Sequence, residues 1–248
     1  MDTSGLKKNT TSAYLCFGHV RVVMRKRKYG HRVNSNRVED VMTEDIDDFY
    51  TAQTPIDPDM PIANIHNLVG TARIKASVQP FDLQHISRLL PNANWDKQKF
   101  AAITIRLRSP PCTTLLFTSG KMVLTGCRNF MACVLASHEI VRMLRRGIPG
   151  VQFRLCDVHI QNIVGNATLD LKNQYIDLDA IYEAHNVYCT YQRNMFPGLI
   201  YRPNSSPVVL LIFISGKIVI TGGKSSHDVK DGWRQLWPFV KQYVRDVV

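Results

Sequence analysis

The chain has 248 residues, 45% of them hydrophobic, enough for one or two compact cores. No apolar run reaches the roughly 18 residues of a bilayer-spanning helix, and the N-terminal MDTSGLKKNTTSAY lacks the apolar stretch of a secretory signal. A soluble, intracellular protein with no membrane role is therefore expected, and a formal charge of +11 favours a polyanionic partner.

That charge is unevenly placed. Residues 1–60 carry nine Lys/Arg against nine Asp/Glu, residues 61–150 carry 12 against 3, and residues 151–248 carry 10 against 8. Solvated surface lysines alone would be spread more evenly. The six cysteines (Cys16, Cys112, Cys127, Cys133, Cys156, Cys189) form no CxxC pair, so no structural metal is expected and the thiols are read as reduced.

The first element met is Tyr14–Met24, apolar enough for a strand or a helix. A basic run follows, RVVMRKRKYGHR, and then an acidic one, EDVMTEDIDD. The cluster Arg25–Lys28 reads either as a nuclear signal or DNA-contacting arm, or as a solvated tail neutralised by its own acidic run.

From residue 61 onward the chain repeats itself. IHNLVGTARIK from Ile65 returns as IQNIVGNATLD from Ile160, FAAITIRLR from Phe100 as FPGLIYRPN from Phe196, and LLFTSGKMVLTG from Leu115 as LLIFISGKIVITGG from Leu210. The offset is 95 residues between Asn67 and Asn162 and 96 between Thr125 and Thr221, so two copies form a pseudo-symmetric pair. Each copy predicts a strand (Asn64–Ile74; Val158–Leu171) and then a short helix opened by Asp (Asp82–Leu90; Asp177–His185). Three strands follow, Phe100–Arg108, Thr113–Thr118 and Lys121–Thr125, then Leu199–Arg202, Val208–Ile214 and Lys217–Thr221, with hairpin turns at Ser119-Gly120 and Ser215-Gly216. Amphipathic helices close the copies near Asn129–Arg146, stopping at Gly147, and near His227–Asp246, kinked at Pro238.

Strand alternation sorts the side chains into two faces. One gathers Asn67, Val69, Thr71, Phe100, Ala102, Thr104, Arg106, Leu115, Phe117, Ser119, Lys121, Val123 and Thr125. Its second-copy equivalent holds Asn162, Val164, Asn166, Phe196, Gly198, Ile200, Arg202, Leu211, Phe213, Ser215, Lys217, Val219 and Thr221. The other face (Leu68, Ile103, Ile105, Leu107, Leu116, Met122, Leu124) is a helix-packing core. A sheet covered on both sides, as in a larger α/β domain, would also be apolar on two faces. Cations at the strand ends beside Asn, Thr and Ser argue instead for an exposed apolar floor with a charged rim, which suits the minor groove of DNA.

These blocks, in their order and spacing, resemble the TATA-box-binding protein family over about Ile62 to Val244. The resemblance implies an α+β fold in which two repeats share one curved antiparallel sheet, a saddle with helices on the convex face. Residues 1–60 would be an extension, 61–150 the first repeat and 151–248 the second. It implies a non-enzymatic transcription initiation factor without cofactor that binds A·T-rich duplex DNA and meets a IIB-type factor and the RNA polymerase machinery. Phe100 with Phe117 and Phe196 with Phe213 would wedge between base steps. Asn67, Asn162, Thr125 and Thr221 would meet central base pairs. Val69, Val123, Val164, Val219, Leu115 and Leu211 would line the groove, and Arg106, Ser119, Lys121, Arg202, Ser215 and Lys217 would take phosphates. Partner positions are Gln192, Asn194 and Met195 in the second stirrup, and Arg142 and Arg146 on the first long helix.

One departure, at His66, bears on the first copy's central contacts, and the others lie on the partner faces and the inter-strand loops. His66 replaces the usual Gln, YQRNMFPG has lost the family's acidic residues, and Glu139 and Val134 interrupt a basic helix. Lysines common in the family are missing from Ser109-Pro110-Pro111 and from Pro203-Asn204-Ser205-Ser206-Pro207. Such a split fits a viral or parasite-like lineage with its own partners, acting in a nucleus or, if viral, a cytoplasmic factory. An alternative is a saddle-shaped interaction scaffold or regulator with altered or lost DNA binding. Gly223-Lys224-Ser225 lacks the first glycine of a phosphate-binding loop, since Ile218 stands there, and nucleotide binding is not expected.

Overall fold

The computed structural model describes residues 57–247 and, before them, the backbone of two short strands. These are β1 (Ala13–Phe17) and β2 (Val20–Met24), antiparallel to each other, so the apolar N-terminal stretch forms strands rather than a helix. The Arg25–Lys28 cluster and the acidic run lie outside the described residues.

The first copy runs β3 (Asn64–Ala76), α1 (Leu83–Leu89), β4 (Ala93–Asn94), β5 (Ala102–Arg108), β6 (Pro111–Phe117), β7 (Lys121–Cys127) and α2 (Phe130–Gly147). The second runs β8 (Phe153–Thr168), β9 (Gln174–Ile176), α3 (Leu178–His185), β10 (Cys189–Thr190), β11 (Leu199–Tyr201), β12 (Val209–Ile212), β13 (Lys217–Gly223), α4 (Ser226–Lys241) and β14 (Val244–Asp246). Ten strands make one antiparallel sheet in the order β10-β11-β12-β13-β8-β3-β7-β6-β5-β4. The order is symmetric about the β3–β8 pair, where the two copies meet.

Helix starts follow the local chemistry of the sequence. Asp82 and Asp177 accept from the third residue beyond (His85 N–H at 2.9 Å, Ala180 N–H at 3.0 Å), and Asn129 does so from Ala132 N–H at 2.7 Å. Ser225 and Asp228 cap each other reciprocally at α4. Asp228 also accepts from Lys224 N–H at 2.8 Å. The Lys224 and Ser225 amides are thus both held by the Asp228 carboxylate and are not free to cradle a phosphate.

Among the described residues, all four α-helices lie on the core face of the sheet, over Leu68, Ile103, Ile105, Leu116, Met122 and Leu124 in the first half and Leu210, Ile212, Ile218 and Ile220 in the second. The long helices cross the central strands at glycines. A Cβ on Gly70 would stand 2.5 Å from Cys133 Sγ of α2, and one on Gly165 would stand 2.8 Å from Val229 of α4. Cys127 lies between Cys133 and Cys112, and a hydrogen bond to Cys127 together with burial pushes the Cys112 thiol far up. These thiols are core groups rather than nucleophiles.

The second long helix ends earlier than its sequence suggests. Helix α4 stops at Lys241, and Val244–Asp246 pairs with β9 instead of continuing the helix to Asp246. Pro238 removes a helical N–H. Phe239 and Tyr243 then join an aromatic cluster: Phe239 stacks on Tyr201 at 4.4 Å, and Tyr243 Oη meets His185 Nε2 at 2.9 Å. That cluster turns the chain out of the helix. In α2, Gly147 is the last helical residue rather than the first beyond it. Strand β8 begins at Phe153, five residues before the expected Val158, and Phe100 lies in a turn before β5.

Residues 57–61 are clamped to α4. Asp57 accepts from Asp59 N–H at 3.0 Å, Trp237 Nε1–H at 2.8 Å and Lys241 Nζ at 3.0 Å, while Trp233 Nε1–H donates to Pro61 O at 2.7 Å. The Asp59 amide first, then Trp237 and Lys241, hold the Asp57 carboxyl down to about 2. A depressed carboxylate stabilises the docked state above its ordinary range and loses that contribution as pH falls. Trp237 emission should therefore change between about pH 4 and pH 2. Asp57→Asn should lack this step, and an unaltered titration in that variant would refute the clamp.

Candidate nucleic-acid interface

Opposite the helices, the sheet's other face is uncovered among the described residues. Its apolar rows, Val69, Leu115, Val123, Val164, Leu211 and Val219, are half-buried, while the charged rim is exposed. Cross-strand pairing sets them in matched rows: Thr104–Leu115–Val123–Thr71 in the first copy and Ile200–Leu211–Val219–Asn166 in the second. At the seam, Asn67 faces Val164 and Val69 faces Asn162, so the central four positions obey the pseudo-twofold. Gln161 Nε2 donates across the seam to Thr71 Oγ1 at 2.8 Å, while His66, its counterpart, is exposed at a register shift.

The two asparagines are fixed in the same way. Asn67 Oδ1 accepts the Gly126 amide at 2.8 Å, and Asn162 Oδ1 accepts the Gly222 amide at 2.8 Å. With the oxygen committed to backbone donors, the NH2 end lies beside the threonine hydroxyls: Asn162 Nδ2 is 3.1 Å from Thr221 Oγ1 and Asn67 Nδ2 is 3.5 Å from Thr125 Oγ1. An amide nitrogen carries two hydrogens and the threonine takes one. Each copy thus presents an oriented donor to the open face, the polarity that matches minor-groove acceptors of A·T pairs.

At either end stand the phenylalanines. Phe100 and Phe117 have centroids 6.2 Å apart at 59°, and Phe196 and Phe213 stand 5.7 Å apart at 68°. Phe100 is 49% exposed, unusual for a ring in a protein of this size. What lies beneath differs between the copies: buried Ala102, paired with Phe117, and Gly198. A Cβ on Gly198 would come within 2.8 Å of Phe196 Cε1 and 3.0 Å of Phe213 Cε1, so the closer second pair depends on that missing methyl.

The turns place polar groups next to the rings. Gly120 N–H donates to Phe117 O and Gly216 N–H to Phe213 O, which sets Ser119 with Lys121, and Ser215 with Lys217, exposed beside them. Arg106 and Arg202 are exposed at the outer strands, the latter 3.4 Å from Thr190 Oγ1. Two further cations share the face. Arg73 and Lys75 continue the alternation of Asn67, Val69 and Thr71. Arg73 lies within the expected strand and its alternation, whereas Lys75 lies one residue beyond the expected end at Ile74.

The expected partner positions Gln192, Asn194, Met195, Arg142 and Arg146 are all exposed. Gln192, Arg193, Asn194 and Met195 form a turn closed by Met195 N–H to Gln192 O, with Met195 82% exposed. Arg193 is not a free cation: it pairs with Asp179 and sits over Tyr191. Arg142 is held bidentate by Glu139 at 2.7 and 2.6 Å, and Arg145 is drawn down to Phe153 O at 2.6 Å. Among these arginines, Arg146 alone makes no described polar contact.

Two copies of one unit sharing a sheet, with helices on one face and an uncovered, ring-flanked face on the other, define the class of saddle-shaped two-repeat factors. Both copies match the family model described as transcription factor TFIID or TATA-binding protein, over residues 62–147 and 157–243. The TATA-box-binding protein of Acanthamoeba castellanii is 34% identical over 87% of this chain and 78% of its own length. That of Candida albicans is 35% identical over 73% of each chain. The solved structure titled Methanococcus jannaschii TBP superposes with a TM-score of 0.61 at 32% identity, over 73% of this chain and 99% of that one. The chain belongs to the TATA-binding protein family.

Proposed function

We propose that this protein is a transcription initiation factor that binds A·T-rich promoter DNA through the minor groove, kinks it with its paired phenylalanines and thereby nucleates an initiation complex. The observation that carries this reading is the placement of four rings in two matched pairs at opposite ends of an uncovered sheet face. Opening a base step costs a few kcal/mol, least at flexible pyrimidine–purine steps, and this family is the standard example of such wedging. The bent duplex then covers the apolar rows between the rings, and their burial offsets that cost. Asn67, Asn162, Thr125 and Thr221 supply base-edge contacts, while Arg106, Lys121, Arg202 and Lys217 with Ser119 and Ser215 take phosphates.

On this reading the functional division is an extension over residues 1–60 and repeats over 61–150 and 151–248. The protein acts in the nucleus as a binding factor rather than an enzyme, beside the polymerase machinery. Its second stirrup, with Gln192, Asn194 and Met195, meets a IIB-type partner whose contact surface is matched to a turn without carboxylates; Arg142 and Arg146 lie on a second partner face. The deciding experiment is energy transfer between dyes at the two ends of an A·T-rich duplex. Transfer should rise sharply on binding; tight binding to straight DNA refutes the wedge assignment, and no binding returns the protein to the scaffold reading.

A further inference from the structure

Part of the first copy's excess charge gathers at one place on the sheet, where Arg154 of the second copy's first strand joins it. Arg73 lies directly opposite Lys121 in the β3–β7 pairing, and Lys75 directly opposite Arg154 in the β3–β8 pairing. Residues opposite one another share a face, with Cβ atoms only about 5 Å apart, and like charges so placed destabilise a sheet. Arg73 and Lys75 point the same way along one strand, so the four cations form a single exposed group. Among the described residues none of them makes an ion pair or donates a side-chain hydrogen bond.

The second copy does not repeat this. The equivalents of Arg73 and Lys75 are Thr168 and Asp170, and Lys217 faces Thr168 instead of a cation. A hydrogen bond from Ile74 N–H to Gly120 O, at 2.7 Å, holds this end of β3 against the turn that carries Phe117, Ser119 and Lys121. The group is therefore continuous with the first copy's end of the open face.

We propose that Arg73, Lys75, Lys121 and Arg154 form a phosphate-binding cluster that grips the DNA backbone at the first copy's end, so that the two ends of this saddle hold DNA unequally. Repulsion among four cations that no described residue pairs is relieved when phosphates lie between them, which makes the cluster a preformed anion site. This inference rests on the minor-groove reading and adds an electrostatic polarity to a face whose rings and asparagines are symmetric.

The test exchanges the two copies' own residues. Arg73→Thr with Lys75→Asp should lower the slope of log K against log salt by about 1.8 or more, since each phosphate contact contributes about 0.9. Preference for A·T-rich over G·C-rich duplex should stay as in the parent. Thr168→Arg with Asp170→Lys should raise the slope comparably and extend hydroxyl-radical protection of the backbone at the second copy's end. An unchanged slope in the first variant overturns the cluster. So does a lower melting temperature without DNA, because removing repulsive pairs should not weaken a fold in which they have no other role. Failure of the minor-groove reading looks different: the parent itself would then show no A·T preference, whatever the variants do to the slope.

Discussion

The double variant Phe196→Ala, Phe213→Ala is expected to bind A·T-rich DNA at least about 100-fold more weakly than the parent, a loss near 2.7 kcal/mol. Fluorescence anisotropy measures that loss, and end-to-end energy transfer should show the bend reduced at the second copy's end. Burying an aromatic ring contributes about 1.5–3 kcal/mol. Removing the pair also removes the cost of opening one step, so the rings alone do not account for the whole effect. The remainder comes from the row behind them: a straighter duplex no longer lies against Ile200, Leu211 and Val219. The fold should survive, because the rings stand on the uncovered face and none belongs to the helix-covered core. Gly198→Ala should act in the same direction more weakly. Its methyl would meet the far edges of both rings, which can swing aside without moving backbone. A double variant that bends DNA as fully as the parent refutes the wedge assignment.

Much of the fold was legible because each local signal agreed with the repeat. Asp82, Asp177 and Asn129 cap helices where the sequence places their starts. Alternation along β3, β7 and β13 sorts core from open face correctly. What escaped the sequence was set by tertiary contacts or was too short to show a period. Strands β4 and β10 have two residues each, and β14 exists because the Phe239–Tyr243–His185 cluster turns the chain after Lys241. At the site, residue types and faces were readable, but orientation was not. That Asn67 and Asn162 turn their oxygens to the Gly126 and Gly222 amides depends on the bend of β7 and β13 at those glycines. Nor did motif matching mark Arg73 and Lys75, since they sit outside the repeated blocks' shared residues and only the β3 pairing shows what they face.

Base-edge contacts and phosphate contacts should fail in different ways. Asn162→Ala and Thr221→Ala each remove a group from the centre of the open face, where loss of a base contact typically costs about 1–3 kcal/mol of discrimination. Both are expected to narrow the gap between A·T-rich and G·C-rich duplexes. Arg202→Ala and Lys217→Ala should instead weaken binding to every sequence and lower the salt slope by about 0.9 each, leaving that gap open. The stability of the four variants separates too. Arg202 and Lys217 are exposed and should be neutral. Asn162 also accepts the Gly222 amide, so its removal should cost up to about 1 kcal/mol, kept small because that amide is exposed and water can take the place of Oδ1. Titrations at several salt concentrations with matched A·T-rich and G·C-rich duplexes, alongside thermal melts, resolve both axes. If Asn162→Ala lost affinity equally for all sequences, the amide would be holding β13 in place rather than reading bases. If none of the four changed DNA binding while all stayed folded, the open face would not be the DNA site, and the exposed rings would be anchors for a protein partner.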